Sequence, residues 1–344
     1  MAIHRKKTVP IEFIKDEYLG CDYSGENRLM TTMITGAGLV GTSYAIEAAK
    51  RGEKVVFIDP IPREDYLAMR LGDADYDVVV DDVRSLPGLL SAIDRYNPET
   101  FLHTAGLIGK RVGDPIHFGY DLNISGMMAV VEAVRLTGIK RMLHLSTFGV
   151  YDWRRTDEVE AMDENFARGS GTAYSNSKAA QEMILEAYRI ECGFEAVVLR
   201  PGNVFGMGHF WGGSGGGEKV HSLIEAGVRG TKAVIPEEQT MAFEYVYAND
   251  MGRALDLAAT QPNLPNGATY NISWGRAIMF DELVDAVKAC LPNVDIEIKP
   301  GTPPHNRTTP LDVSRAQEEL GWEPSYTLEE ALAAYADEFR ARNT

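Results

Sequence analysis

Tyr174 and Lys178 lie four residues apart in Tyr174-Ser175-Asn176-Ser177-Lys178, at the head of a run in which Ala179, Ala180, Met183, Ile184 and Ala187 recur with a helical period. Residues four apart share a helix face, with about 5–6 Å between their Cβ atoms, so the phenol and the ammonium can point into one pocket. A free tyrosine titrates near pH 10 and is a poor base at neutrality. A fixed cation beside it favours the phenolate. Such a pair can take the proton from an alcohol whose carbon gives up hydride. The same spacing also fits an exposed helical turn, so the rest of the chain has to decide.

A second cluster lies near the start. Residues 29–35 form a short apolar and β-branched run ending in Gly36-Ala37-Gly38-Leu39-Val40-Gly41. A helical pattern carrying Tyr44, Ala45, Ala48 and Ala49 follows and stops at Gly52; residues 54–58 then read as a strand closed by Asp59. Strand, glycine turn, helix, strand and acid within about 30 residues is the setting in which Gly-x-Gly-x-x-Gly holds a dinucleotide. Gly36 permits the tight turn, Gly38 lets the backbone approach a pyrophosphate, and Gly41 allows close helix packing. The helix start, with Leu39 and Val40, offers unpaired N–H groups to phosphate. Asp59 stands where a carboxylate accepts hydrogen bonds from the adenosine ribose hydroxyls. It would repel a 2′-phosphate, which points to NAD; Arg63 nearby leaves NADP open.

The elements that must position these residues alternate along the chain. Residues 78–80 read as a strand ending in Asp81-Asp82-Val83, 86–96 as a helix, and 101–103 as a strand turning through Thr104-Ala105-Gly106. A helix over 123–137 carries Met127, Val130, Val131 and Val134 and ends at Gly138. Residues 141–145 form a fifth strand with Ser146 and Thr147 at its carboxyl end, and 197–199 a sixth. Ligands bind beyond the carboxyl ends of strands in open parallel sheets, which puts Thr147 on the side of the glycine turn. After Gly206 the composition changes: residues 209–217 are crowded with glycine around Phe210 and Trp211 and read as part of a segment covering substrate, or as a plain connector. Helices near 219–226, 249–259 and 281–291 and strands near 233–235, 244–247 and 270–272 follow. Two capping boxes, Ser314-x-x-Gln317 and Thr327-x-x-Glu330, start the tail helices, and Gly321 and Pro324 separate them.

The chain of 344 residues suits one large domain or two unequal ones, and its net charge of −16 argues against a nucleic-acid partner. Cys21, Cys192 and Cys290 are odd in number and far apart, as reduced thiols in a cytoplasm would be. Seven scattered histidines suggest no metal site. No run approaches transmembrane length, no basic cluster suggests a membrane surface, and residues 1–28 read as an appended arm without a signal-peptide core.

Taken in order, Gly36-x-Gly38-x-x-Gly41, Asp59, Asp82-Val83, His103-Thr104-Ala105-Gly106, Asn123, Leu145-Ser146-Thr147-x-x-Val150-Tyr151, Tyr174-x-x-x-Lys178, Arg200-Pro201-Gly202-Asn203-Val204-Phe205-Gly206 and Leu320-Gly321-Trp322 resemble the extended short-chain dehydrogenase/reductase family, the NAD-dependent sugar epimerase/dehydratase group. The resemblance spans about 30–336. It implies an α/β fold, a doubly wound parallel (Rossmann) sheet with a smaller C-terminal substrate domain: an arm over 1–28, an NAD-binding domain over 29–200 with a return at about 241–278, and a substrate domain over 201–240 and 279–344. It also implies a homodimer through the helices that follow Asn123 and contain Tyr174. By position, Tyr174 is the general base and Lys178 its electrostatic partner, also bonding the nicotinamide ribose. Thr147 hydrogen-bonds the reacting oxygen. Asp82 and Val83 contact the adenine side of NAD, with Thr104, Ala105 and Gly106 also on the cofactor. Asn123 is expected to be structural.

The departures narrow the chemistry. Dehydratases of this group follow the threonine with Asp-Glu; Phe148 and Gly149 here supply neither acid nor base, and the glutamate a decarboxylase needs in this turn is missing too. Asn203 and Arg307 match two residues that hold a nucleotide-sugar diphosphate, but Phe243 stands where a further arginine would, and phenylalanine cannot make its bidentate bonds. Lys110, Arg111, Arg154 and Arg155 lie in loops that either border the pocket and hold an anion or form solvated surface. The expectation is NAD-dependent redox chemistry at a secondary alcohol of a small-molecule sugar or sugar derivative, with a (nucleotide-)sugar epimerase ahead of a net dehydrogenase of a free sugar, sugar acid or other small hydroxy compound. A non-catalytic NAD-binding protein is the remote alternative, since such relatives usually lose the tyrosine or lysine.

Overall fold

The structure is a computed structural model that describes residues 30–169, 171–208, 214–306 and 308–342. The expected arm, Arg307, Phe210 and Trp211 lie outside the described residues.

Its frame is a seven-stranded sheet with α-helices on both faces. In chain order the first elements are β1 Thr31–Thr35, α1 Leu39–Lys50, β2 Lys54–Ile58, α2 Glu64–Leu71, β3 Tyr76–Val79, α3 Leu86–Tyr96, β4 Thr100–His103, α4 Ile116–Tyr120, α5 Gly126–Thr137, β5 Arg141–Leu145, α6 Ala173–Cys192 and β6 Glu195–Pro201. They continue with β7 Asn203–Phe205, α7 Gly215–Arg229, β8 Lys232–Pro236, β9 Phe243–Tyr247, α8 Ala248–Thr260, β10 Ala268–Ile272, β11 Ala277–Ile278, α9 Phe280–Cys290, β12 Asp295–Lys299, α10 Ser314–Glu318 and α11 Leu328–Arg342. The large sheet runs β10-β6-β5-β4-β1-β2-β3, all parallel. The order reverses between β1 and β4, which opens a crevice beyond their carboxyl ends.

Strands buried on both faces are near-continuous in apolar residues, and the alternation of their side chains divides the core in two. Ile34, Phe57, Leu102, Leu143 and Leu199 pack with α1, α2 and α8 on one face. Met33, Val56, Phe101, Met142 and Val198 pack with α3, α5 and α6 on the other. A third core joins α7, α9 and α11 to a small sheet, β11-β9-β7, and to the ribbon β12-β8.

The layout departs from the expected division at two places. After the smaller lobe the chain does return to the large sheet, through α8 and β10, but β9 pairs with β7 in the small sheet. Ala316, Leu320 and Trp322, from a segment expected in the smaller domain, pack into the core beside α1 and α8, where the Trp322 indole N–H donates to the Asp250 carbonyl at 3.0 Å. Helix starts also differ. Gly215, Gly216 and Gly217 form the first turn of α7 behind the cap of Ser214 rather than a loop. The Thr327–Glu330 capping box forms in both directions, at 2.9 and 3.2 Å. The Ser314 box does not: Ser314 is already helical, and its N–H is taken by the Asp312 carboxylate at 2.9 Å.

Candidate active site

β1 ends in the glycine turn at the crevice. Gly36 has φ +91°, which a side chain would strain, and its N–H donates to the Ile58 carbonyl at 2.8 Å. A Cβ on Gly41 would stand 2.5 Å from the Gly36 carbonyl oxygen, so helix and turn close only because it is absent. Beside Gly38 there is open space, and no side chain caps the start of α1. The first-turn amides of Leu39 and Val40 are therefore free of the intrahelical bonds that later ones make. A cradle of main-chain N–H groups beside open space fits the pyrophosphate of a dinucleotide.

Asp59, at the end of β2, is tied to this turn: one carboxylate oxygen accepts from Ala37 N and the other from Ile61 N, each at 2.9 Å. On the other wall, the Thr104 hydroxyl donates to the Thr35 carbonyl at 2.7 Å. The Asn123 amide grips the backbone of Leu107 after Ala105 and Gly106 and donates to the Ser177 hydroxyl at 2.9 Å. Asn123 thus knits that turn to α6. Asp82 is less available than its position suggests. Arg84 binds both its oxygens, at 2.9 and 2.6 Å, and holds the carboxyl below its ordinary range. Val83 points into the core under α5, against Gly126, which leaves its main chain for a cofactor.

Thr147, Tyr174 and Lys178 come together at the carboxyl end of β5. Thr172 caps α6 by accepting from Ser175 N at 3.2 Å, which puts Tyr174 in the first turn. The Thr147 hydroxyl stands beside the Tyr174 phenol and accepts from Gly149 N at 3.1 Å. One turn along the helix, the buried Lys178 ammonium donates to the Leu145 carbonyl at 2.8 Å.

The charges do not follow the simple expectation. Tyr174 keeps some solvent contact, yet packing around the phenol pushes it up to about 12, with the Thr147 hydroxyl drawing it back. Burial brings Lys178 down to about 8, against the pull of Glu182. The expected lowering of the phenol by its lysine is thus corrected: the ammonium is committed to Leu145, and desolvation dominates.

Behind the pair lies a buried network that motif spacing did not single out. Glu182 accepts from Arg200 at both oxygens, at 2.9 and 2.7 Å, from Ser146 at 2.5 Å and from Arg168 at 2.9 Å. Arg200 also donates to the Tyr151 hydroxyl at 3.0 Å and the Glu164 carbonyl at 2.8 Å. The available signal was Glu182 itself, four residues beyond Lys178 on the same helix face.

The expected substrate contacts do not converge. Asn203 is buried, donates to the Glu244 carbonyl at 3.1 Å and packs against Gly216, so it joins β7 to β9 and α7. Lys110 and Arg111 are exposed on a short 3-10 turn, Gly109–Val112, and their side chains form no hydrogen bond or ion pair among the described residues. Arg154 pairs with Asp152 and Arg155 with Glu158 at the surface. A cation that sequence reasoning missed is Lys219 of α7. It is buried, its ammonium lies 4.5 Å from the Phe243 ring centroid and 5.2 Å from that of Phe280, and it donates to the Met241 carbonyl at 3.0 Å. Burial brings it down to about 7. Its one signal in the sequence was a lysine inside the apolar stripe of Val220, Leu223 and Ile224. Among the described residues no group of His, Cys, Asp or Glu could hold a metal ion, and no helix is long and apolar enough to cross a membrane.

Residues 32–273 match a sequence model described as the NAD dependent epimerase/dehydratase family. A UDP-glucose 4-epimerase of Mycolicibacterium smegmatis is 28% identical over 322 residues, covering 91% of this chain and 100% of that one. A dTDP-glucose 4,6-dehydratase of Xanthomonas campestris is 26% identical over 343 residues, covering 92% and 95%. The fold superposes on a UDP-glucose 4-epimerase of Thermotoga maritima solved with UDP-glucose, with a TM-score of 0.80 at 24% identity over 92% of this chain and 100% of that one.

Asp59→Ala removes the carboxylate's bond to Ala37 in the turn, its bond to Ile61 and the charge expected beside the ribose. Titration of the purified variant is expected to show NAD binding weakened about tenfold or more, with NADP little affected or improved. An equal loss for both cofactors would remove Asp59 from ribose recognition.

Proposed function

This chain belongs to the NAD dependent epimerase/dehydratase family, and from that premise we propose that it performs NAD-dependent redox chemistry at a secondary alcohol of a sugar or sugar derivative, with epimerisation as the net result. The observation that carries this reading is that the Thr147 hydroxyl stands beside the Tyr174 phenol just past the end of β5, while the Lys178 ammonium, one turn along α6, is anchored on the last carbonyl of that strand. They lie at the end of the sheet where the glycine turn and Asp59 form a dinucleotide cradle.

Bound NAD supplies a hydride acceptor and donor. Thr147 orients the carbinol oxygen, and Tyr174 receives its proton as the carbon loses hydride. A phenol near 12 is a reluctant base at neutral pH. The step therefore calls for a cation turned towards it, and Lys178, one helical turn away on a flexible stem, is the group in reach. In the epimerase the resulting ketone turns over in the pocket and recovers hydride on its opposite face, with Tyr174 returning the same proton. Phe148 and Gly149, in the 3-10 turn Phe148–Val150, offer no acid or base for eliminating water, which argues against the dehydratase activity that some relatives carry.

The relatives named for UDP-glucose and dTDP-glucose suggest a nucleotide sugar. Phe243, stacked under Lys219 in place of an arginine fork, favours instead a smaller sugar or a sugar acid and supports net dehydrogenation as the second reading. We further propose a homodimer through α5 and α6, which leave Met128, Leu136, Met183 and Ile190 exposed, in a cytoplasmic setting that suits the free thiols of Cys192 and Cys290.

Tyr174→Phe is expected to retain NAD and lose turnover by about 10²–10⁴-fold; near-normal steady-state rates would remove Tyr174 from the chemistry. Protein purified without added cofactor is expected to release stoichiometric NAD on denaturation, as an enzyme that recycles its hydride should. An empty site would favour the dehydrogenase.

A further inference from the structure

Six buried side-chain nitrogen or oxygen atoms lack a hydrogen-bond partner among the described residues, and four of them belong to three residues around Lys178: Nε2 of His103, both ring nitrogens of His144, and Oε1 of Gln181. The two histidines face each other across β4 and β5 in register, with rings stacked at 5.6 Å and 17°. Gln181 lies three residues beyond Lys178 on the buried side of α6, its amide already donating to the Asn123 carbonyl at 2.6 Å. Only Nδ1 of His103 is engaged, by the Thr35 hydroxyl at 2.7 Å.

Leaving a buried polar atom unpaired forfeits its hydration without return, and four in one layer are hard to reconcile with a dry interior. A buried water is held by two to four polar partners. The layer offers that number, and the Lys178 ammonium adds more: it has three N–H donors, of which the Leu145 carbonyl takes one. Both rings are neutral. Burial and then the Lys178 charge bring His103 down to about 3, and His144 falls well below its ordinary value for the same reasons. A neutral imidazole carries one donor and one acceptor, so it can pass a hydrogen bond through without adding a charge beside the lysine.

We propose that His144 is a positioning residue for Lys178: with His103 and Gln181 it binds ordered water in the layer beneath α6, and that water solvates the ammonium away from the Leu145 carbonyl. The role assigned to Lys178 is the one proposed above; the hydration itself does not depend on it. The groups facing the ammonium are Glu182 on its own helix, His103 on β4, His144 on β5, the Leu145 carbonyl and, through Glu182, Arg200 on β6. Water held by neutral rings stabilises the charged form against the burial that depresses it. Drying the layer depresses it further. Activity that needs the ammonium is present below the lysine's pKa and lost as pH rises through about 8, so a drier layer moves that loss to lower pH.

Two measurements test this. A high-resolution crystal structure of the full chain is expected to show water within hydrogen-bonding distance of a His144 ring nitrogen and Gln181 Oε1; a dry layer overturns the proposal. In the pH profile of kcat, His144→Phe, which keeps the stacked ring and removes its nitrogens, is expected to shift the alkaline limb down by about one pH unit, while His144→Asn leaves it nearer the wild type. If the phenylalanine variant fails to fold, Gln181→Met is expected to shift the limb in the same direction. An unchanged limb with a lowered Tm would make His144 a packing residue only and overturn its positioning role. A hydrated layer in a wild type that has no alkaline limb would instead remove Lys178 from the catalytic step, and the positioning role with it.

Discussion

Taking the Lys178 ammonium out of water removes the hydration of three N–H donors, and the Leu145 carbonyl restores only part of it. Glu182, one turn further along α6, supplies the charge that opposes this loss. A carboxylate that deep must itself be held ionised, and Arg200, Ser146 and Arg168 do so with four hydrogen bonds between them. The network therefore runs from β5 through α6 to β6 and fixes the helix on the end of the sheet. With α6 fixed, Tyr174 in its first turn has little choice but to meet Thr147.

The cofactor end relies on main chain more than on side chains. Gly36 turns where another residue would be strained, Gly41 lets the carbonyl of Gly36 approach, and the first amides of α1 face open space. Asp59 is held in place by that same backbone. The smaller lobe is built differently, around Tyr245, Tyr247, Phe205 and Tyr335, with Lys219 as a buried cation resting on aromatic faces. Glu244, pushed up to about 7 by its burial and bonded to Ser273 and Leu311, ties the lobe's central strand to the C-terminal segment.

The parts of this arrangement that were legible in the sequence depend on short-range spacing. The glycine turn, Asp59 and the Tyr174–Lys178 pair each sit within one supersecondary unit, where periodicity and capping settle the geometry. Features that depend on long-range packing were not legible. Asn203 looked like a ligand because of its place in a motif, but the approach of β9 and Gly216 turns it into a clamp. The Ser314 capping box fails because Asp312 takes the amide first. The direction of the Tyr174 shift was misjudged because the charge of a neighbour can be read from spacing and the burial of the phenol cannot. Lys219 meets Phe243, and His103 meets His144, only once the sheets have formed.

The central claim is that the phenol of Tyr174, with Thr147 and Lys178 beside it, faces a carbinol held against a bound dinucleotide. A structure of the full chain with NAD and a substrate analogue tests it most directly. The account predicts the Tyr174 and Thr147 hydroxyls within about 3–3.5 Å of the analogue's reacting oxygen, with that carbon next to the nicotinamide. A phenol turned away from the nicotinamide pocket, or a pocket filled by the chain's own side chains, would contradict it.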